Sequence, residues 1–317
     1  MIPKLPALAL LLALAPAIPA LQDEGSPPPP YDEEADAAAD IQAALASAAK
    51  ENRRVLIQWG ANWCGWCHKL HGLFEQNRDV RRKLLYEYDV VFVDVGRLDK
   101  HMDLAARYGA PLREAGVPFL TVLDAGGEVL ANRETGSLEN GDGGHDPAKV
   151  LAFLEEHQAE YWKAEDLLKE ALAEAGRSDR RVLVHFGAPW CGWCHRLEDW
   201  LARDAVAPVL AVDFVDLKID IDRTVGGQEL LLRYRKSERG GIPWFAFLDP
   251  AGELLADSNG PDGNLGCPWT PAEIAAFGDV LRKVTRRITE AEVAALLETM
   301  GPPKEKQPEP EKAVRDL

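Results

Sequence analysis

The stretch Val55-Leu-Ile-Gln-Trp-Gly-Ala-Asn-Trp-Cys-Gly-Trp-Cys-His68 returns 127 positions later as Val182-Leu-Val-His-Phe-Gly-Ala-Pro-Trp-Cys-Gly-Trp-Cys-His195. In both copies an apolar, β-branched run ends in Gly-Ala, and the two cysteines lead into Lys/Arg-Leu with further apolar residues at helical spacing. This pattern reads as strand, tight turn and helix, with the first cysteine at the helix N-terminus. Free backbone amides and the positive end of the helix dipole favour a thiolate there, and thiolates attack disulfides. The second cysteine, three residues on, shares the helix face and can resolve the mixed disulfide that such an attack forms. Cys64 and Cys191 are therefore candidate nucleophiles, and Cys67 and Cys194 candidate resolving thiols.

The duplication reaches well past the motif, since Pro118 and Pro243 stand 125 positions apart. A period this long signals two copies of one plan. Copy one predicts a helix over Ala35–Lys50, a strand over Val55–Gly60, the helix opened by Cys64, a strand over Val90–Val95 and a short helix over Met102–Tyr108. A hairpin pattern follows from Phe119 to Ala131, turning at Asp124–Gly127, and a last helix starts at Asp146-Pro147,. Copy two repeats the order: helix Ala164–Ala175, strand Val182–Gly187, helix from Cys191, strand Phe214–Ile219, helix Gln228–Tyr234, hairpin Trp244–Ala256 and a helix near Thr270-Pro271. Strands alternating with helices and closed by a hairpin imply an α/β fold, each copy a mixed sheet with helices on both faces. No Gly or Pro lies between Pro147 and Ala175, which predicts a continuous or once-kinked helical connection through Glu160–Ala164,. The capping-box pattern Thr289-Glu-Ala-Glu292, followed by Val293, Leu296 and Leu297 and ended by Gly301, predicts an extra helix packed on the second copy,.

Each copy resembles a thioredoxin domain, through its Trp-Cys-x-x-Cys turn, Tyr108-Gly109, and Gly116-Val117-Pro118 or Gly241-Ile242-Pro243 ahead of the hairpin. The resemblance implies two tandem domains, 35–161 and 162–300, the second carrying the extra C-terminal helix. It further implies that Pro118 and Pro243 are cis-prolines set against the cysteine pairs, with Val117 and Ile242 offering their backbones to an extended substrate peptide. Trp63 and Trp190 then flank the cysteines as packing and substrate surface. Two departures bear on the chemistry. Where the family keeps a buried acid six positions before the first cysteine, this chain has Gln58, which cannot accept a proton, and His185, which can,. The dipeptide between the cysteines is Gly-Trp, not Gly-Pro, closer to the Gly-Tyr of bacterial periplasmic disulfide isomerases, so the direction of electron flow is left open. His68 and His195, one helical turn past each first cysteine, either tune the thiolate by their charge or are surface residues at a customary basic position.

Residues 1–20 carry one charge, Lys4, before the apolar run Leu5–Ile18 and end in Pro19-Ala20. They read as a signal peptide cut after Ala20, with an uncleaved membrane anchor as the alternative. Residues 21–34 form a Pro- and acid-rich linker and residues 301–317 a disordered tail, neither expected to bury apolar surface,. A net charge of −16 excludes a phosphate-binding surface, hence nucleic acid, and keeps the mature chain off anionic membranes,. Cys267 is the odd cysteine, open to intermolecular pairing, to exchange with the Cys191/Cys194 pair, or to burial as an inert thiol,.

Three further readings compete: c-type haem attached at Cys-x-x-Cys-His, zinc held by all four motif cysteines, and structural disulfides in a non-enzymatic partner-binding protein. Haem is disfavoured by the strand-to-helix frame, and zinc by the long separation of the pairs. The expectation is an exported, periplasmic or extracellular thiol–disulfide oxidoreductase with no cofactor and no metal. Its partners would be thiol- or disulfide-containing exported proteins and an external redox partner that resets the two sites.

Overall fold

The computed structural model describes residues 29–302, so the expected signal peptide and nearly all of the expected tail lie outside the described residues. Two four-stranded mixed sheets form the frame. In the first, β1 (Arg54–Gly60) runs parallel to β2 (Tyr88–Asp94) and antiparallel to β3 (Phe119–Leu123), which pairs with β4 (Val129–Glu134) in the order β2-β1-β3-β4. Every residue of β1 from Val55 on is buried, as a central strand covered on both faces should be,. The period of two divides it: Val55, Ile57 and Trp59 pack with α1 (Ala37–Glu51), α4 (Met102–Arg107) and α5 (Leu112–Ala115),. Leu56 faces α2 (Gly65–Gln76), α3 (Arg78–Glu87) and α6 (Pro147–His157). Gln58 and Gly60 share the parity of Leu56, which puts them under the helix that carries the cysteines.

The second sheet repeats the plan with β5 (Arg181–Gly187), β6 (Phe214–Asp220), β7 (Trp244–Leu248) and β8 (Leu254–Asp257) in the order β6-β5-β7-β8. On one face lie α7 (Ala164–Arg177) and α10 (Gly227–Arg235). On the other lie α8 (Gly192–Leu201), α9 (Ala207–Leu210), α11 (Pro271–Val284) and α12 (Glu290–Glu298). The fold is thus α/β with two tandem thioredoxin-like units.

Three features depart from the sequence expectations. The helix opened by Cys64 breaks at Asn77, whose extended backbone (ψ 115°) ends α2 while its side chain accepts from the amides of Asp79 and Val80 to start α3. The helical connection through Glu160–Ala164 does not form. Gln158 is extended (φ −63°, ψ 161°), and the segment bonds elsewhere: Val225 N donates to Trp162 O, Ala164 N to Val225 O, and Asn52 Nδ2 to Glu160 O. Helix propensity yields here to bridging with the loop after β6. The expected linker is not all solvated either, because Tyr31 is 1% exposed and packs beside Cys64 and Cys67.

The units are latched by a buried ion pair. Arg223 (5% exposed) meets Glu87 (1% exposed) at 3.1 Å and donates to the carbonyls of Glu51 and Asn52 at 2.8 and 2.7 Å. Tyr161 donates to the other Glu87 oxygen at 2.5 Å. The guanidinium, carried by the second unit, thus bonds a carboxylate and two carbonyls of the first with well-formed geometry, the condition under which a buried pair holds,.

A second buried carboxylate secures α12. Asp213 accepts from the backbone amides of Arg286, Arg287 and Ile288 at 2.7, 2.9 and 3.1 Å and from Arg287 Nε at 3.1 Å. Thr289 then opens α12 with a capping box, and Val293 and Leu296 bury themselves in the second core. Burial raises the Asp213 carboxyl, but those donors outweigh it and leave its pKa below the ordinary value,. A depressed folded pKa contributes stability that is full above the unfolded carboxylate pKa and is lost as pH falls through the folded one.

Two outcomes are expected. Asp213→Asn lowers the stability of the second unit by about 2–3 kcal/mol at pH 7, and acidification below about pH 4 narrows its gap from wild type; equal melting temperatures at neutral pH would refute the anchoring role. Arg223→Ala strands the Glu87 carboxylate at a cost of about 3–5 kcal/mol, and limited proteolysis should then cut the 158–163 connection faster than in wild type.

Candidate functional site

Each cysteine pair sits where a central strand ends under a helix N-terminus. Cys64 is the N-cap of α2 and Cys191 of α8, both with extended backbone. Their sulfurs stand 3.1 and 3.2 Å from the amide nitrogens of Cys67 and Cys194, so the free amides of the first turn point at the proposed nucleophiles,. The pairs are disulfide-bonded within each motif, with Cα atoms 5.2 Å apart in both. The Val117–Pro118 and Ile242–Pro243 peptide bonds are cis. Cys64 Sγ lies 3.5 Å from Val117 O, and Cys191 Sγ 3.6 Å from Ile242 O. The residues singled out ahead of the hairpins thus do lie against the first sulfur.

Around the sulfurs, Trp63 and Trp190 are 54% and 58% exposed, pinned through their indole nitrogens to Gly96 O (2.6 Å) and Asp222 Oδ2 (2.9 Å). Asp222 also accepts from Tyr86 of the first unit at 2.8 Å, which sets the second site at the boundary. His68 and His195 place Nε2 2.7 and 2.8 Å from the carbonyl oxygens of Asn62 and Pro189, bracing the loop ahead of each cysteine. Trp66 packs edge-on to His145, and Trp193 edge-on to Trp269.

Beneath the disulfides the copies differ. In the first, Gln58 Nε2 donates to Tyr31 Oη at 2.6 Å, and Gly60 leaves a gap that Tyr31 and Cys67 share. A Cβ on Gly60 would stand 2.1 Å from Tyr31 Oη and 2.9 Å from Cys67 Sγ. In the second, a Cβ on Gly187 would stand 3.3 Å from Glu198 Oε1 and 3.4 Å from Cys194 Sγ. The other Glu198 oxygen meets Lys218 Nζ at 2.9 Å, and Lys218 also pairs with Glu51 of the first unit. His185 is buried, with Nε2 3.2 Å from Asp216 Oδ1, an ion-pair distance without hydrogen-bond geometry. Sequence reasoning missed Tyr31 and Glu198; only Glu198 left a signal, an acid one helical turn past Cys194.

Cys267 is unpaired, half-buried, and borders a cavity of about 430 Å³ with Arg196, Trp200, Arg203 and Trp269. Burial pushes its thiol pKa up to about 11, so it is protonated and a poor nucleophile near neutral pH,.

The thioredoxin-like family pattern matches residues 36–125 and 162–250. The chain is 28% identical over 185 residues to a protein disulfide-isomerase, tigA, of Aspergillus niger, covering 56% of this chain and 47% of that one. It therefore spans about half the length of that relative. A second, the disulfide-isomerase erp38 of Neurospora crassa, is 24% identical over 273 residues, 77% of this chain and 68% of its own. A solved disulphide isomerase of Xylella fastidiosa Temecula1 aligns at 30% identity over 40% of this chain and 95% of its own, with a TM-score of 0.37. With the family pattern covering more than half its residues, once on each sheet, the chain belongs to the thioredoxin-like family.

Proposed function

We propose that the protein is an exported thiol–disulfide oxidoreductase that reduces or isomerises disulfides of other exported proteins through two Cys-x-x-Cys sites. The observation that carries this is the placement of each first sulfur. Cys64 and Cys191 lie among the free amides of a helix N-terminus and against the carbonyl preceding a cis-proline, beside an exposed tryptophan. The amides favour the thiolate of the reduced site, and the carbonyl is where an extended peptide can pair. Attack on a substrate disulfide gives a mixed disulfide on Cys64 or Cys191; Cys67 or Cys194 then displaces the substrate sulfur and closes the protein's own disulfide. An external thiol or disulfide partner resets the pair. Export is read from residues 1–20, and Trp63 and Trp190 are taken as substrate surface.

Insulin reduction with a thiol donor tests the reading. Cys64→Ser and Cys191→Ser should each leave one working site and retain part of the rate, and the double variant should fall to the uncatalysed rate. A double variant as active as wild type would overturn the assignment.

At the second site we assign the proton of Cys194 to His185. A protonated His185 cannot act as the acceptor, so release should slow on acidification. His185→Gln should flatten that dependence in single-site protein. A pH profile indifferent to His185→Gln would remove histidine from the role.

A further inference from the structure

The phenol of Tyr31 lies directly below the first disulfide, and the mechanism above leaves it unused. Its position is built, not incidental. Asn62, two residues before Cys64, clasps the segment from both sides: its Oδ1 accepts from Tyr31 N at 3.2 Å, and its Nδ2 donates to Tyr31 O at 2.9 Å. Phe92 meets the ring edge-on at 6.0 Å, and Gln58 Nε2 donates to the hydroxyl oxygen at 2.6 Å. Gly60 supplies the space, as a side chain there would collide with the phenol. Of these supports, Asn62 and Gln58 are positions where the copies differ, and Gly60 is one where a missing side chain matters. Copy two has Pro189 and His185 in place of Asn62 and Gln58, and the residue matching Tyr31 is Gln158, which accepts from Lys83 Nζ at 2.8 Å.

We propose that Tyr31 is the hydrogen-bond donor that stabilises the Cys67 thiolate during resolution at the first site, in place of a proton-accepting side chain. This deepens the reading of the chain as a thiol–disulfide oxidoreductase and rests on it. Because the Gln58 amide occupies a lone pair of the hydroxyl oxygen, the phenol hydrogen is free to be donated, and among the described residues it has no other acceptor. Oxygen and sulfur are separated by no more than the sum of their distances, 2.1 and 2.9 Å, from the vacant Cβ position on Gly60. In the disulfide form no hydrogen bond links them; a thiolate is the stronger acceptor and draws the donor in. Burial keeps the phenol protonated far above neutral pH, so it donates and does not take up a proton,. The other ionisable groups around the pair are Asp94, whose carboxylate lies 3.4 Å from Lys100 Nζ, and His71, edge-on to Phe92 at 5.1 Å.

The step balances without an added reactant. Cys67 loses its proton, and its thiolate attacks Cys64 Sγ. The Cys64–substrate bond breaks as the Cys64–Cys67 bond forms, and the proton ends on the departing substrate thiolate. The cysteine pair is oxidised by two electrons and the substrate disulfide is reduced by two.

The test uses full-length protein carrying Cys191→Ser, Cys194→Ser and Cys267→Ser, reduced and mixed with Ellman's reagent in a stopped-flow instrument. Attack by Cys64 releases the first thionitrobenzoate and resolution by Cys67 the second. With Tyr31→Phe, which keeps the ring, the second phase should slow on the order of tenfold at pH 7, the worth of one hydrogen bond to a charged group, and its pH midpoint should rise by about one unit. The first phase should not change. Gln58→Met, which leaves the phenol but removes the group that orients it, should move the midpoint the same way. A second phase whose midpoint is the same with and without the hydroxyl, or which slows equally at every pH, overturns the proposal and leaves the redox reading intact. Release of no thionitrobenzoate by the Cys64/Cys67 pair overturns both.

Discussion

Two central strands end in a glycine under the first turn of a helix, and the vacancy this leaves governs both sites. Gly60 and Gly187 stand where a Cβ would press on the second cysteine of each pair. The missing side chain lets α2 and α8 settle close enough for their amides to crowd the first sulfur, and it opens a small buried chamber beneath the second. What fills the chamber distinguishes the domains: a neutral phenol and a carboxamide in one, a carboxylate tied to an ammonium in the other. A buried charge near a thiol opposes its ionisation or promotes it according to sign, whereas a neutral donor assists only the charged form. One backbone thus sets two different groups of side chains beneath its cysteine pairs.

The boundary between the domains is ionic and polar, and it reaches the second site. Glu198 shares Lys218 with Glu51 of the first domain, and Asp222 bonds both the motif tryptophan Trp190 and Tyr86 across the boundary. Lys218 is held charged despite burial by its two carboxylates. The second chamber is therefore completed by the first domain, while the first chamber is completed by the segment ahead of its own first helix. The Arg223–Glu87 pair keeps this arrangement in place, since pulling the domains apart would expose each charge without its partner's compensating bonds,.

What could be read from the sequence was what is local. The apolar run along Val55–Gly60, the caps at Asp146 and Thr270, the turn at Asp124–Gly127 and the capping box at Thr289 all act within a few residues. The cis-prolines were reached through the resemblance to a thioredoxin domain and not from any local pattern. What escaped was long-range or depended on competition. Arg223 and Glu87 are 136 positions apart, and no local pattern joins them. The connection after α6 has the composition of a helix and is extended because Val225 offers it a better set of bonds. The break at Asn77 was visible in principle as a capping residue, but the apolar spacing runs on through it. Tyr31 sat in a stretch whose prolines and acids speak of solvation, and one aromatic ring in such a run carries no periodicity.

A consequence for dissecting the molecule comes from the clasp at Asn62. A fragment trimmed to begin at the N-cap of the first helix would keep every strand, every helix and both cysteines of the first domain. By any count of secondary structure it would be whole. It would also have an empty chamber under its disulfide, a Gln58 amide with no phenol to bond, and an Asn62 side chain with no partner segment to hold. The architectural edge of this domain and its chemical edge fall at different residues, and a graft or truncation designed on the first would discard part of the second.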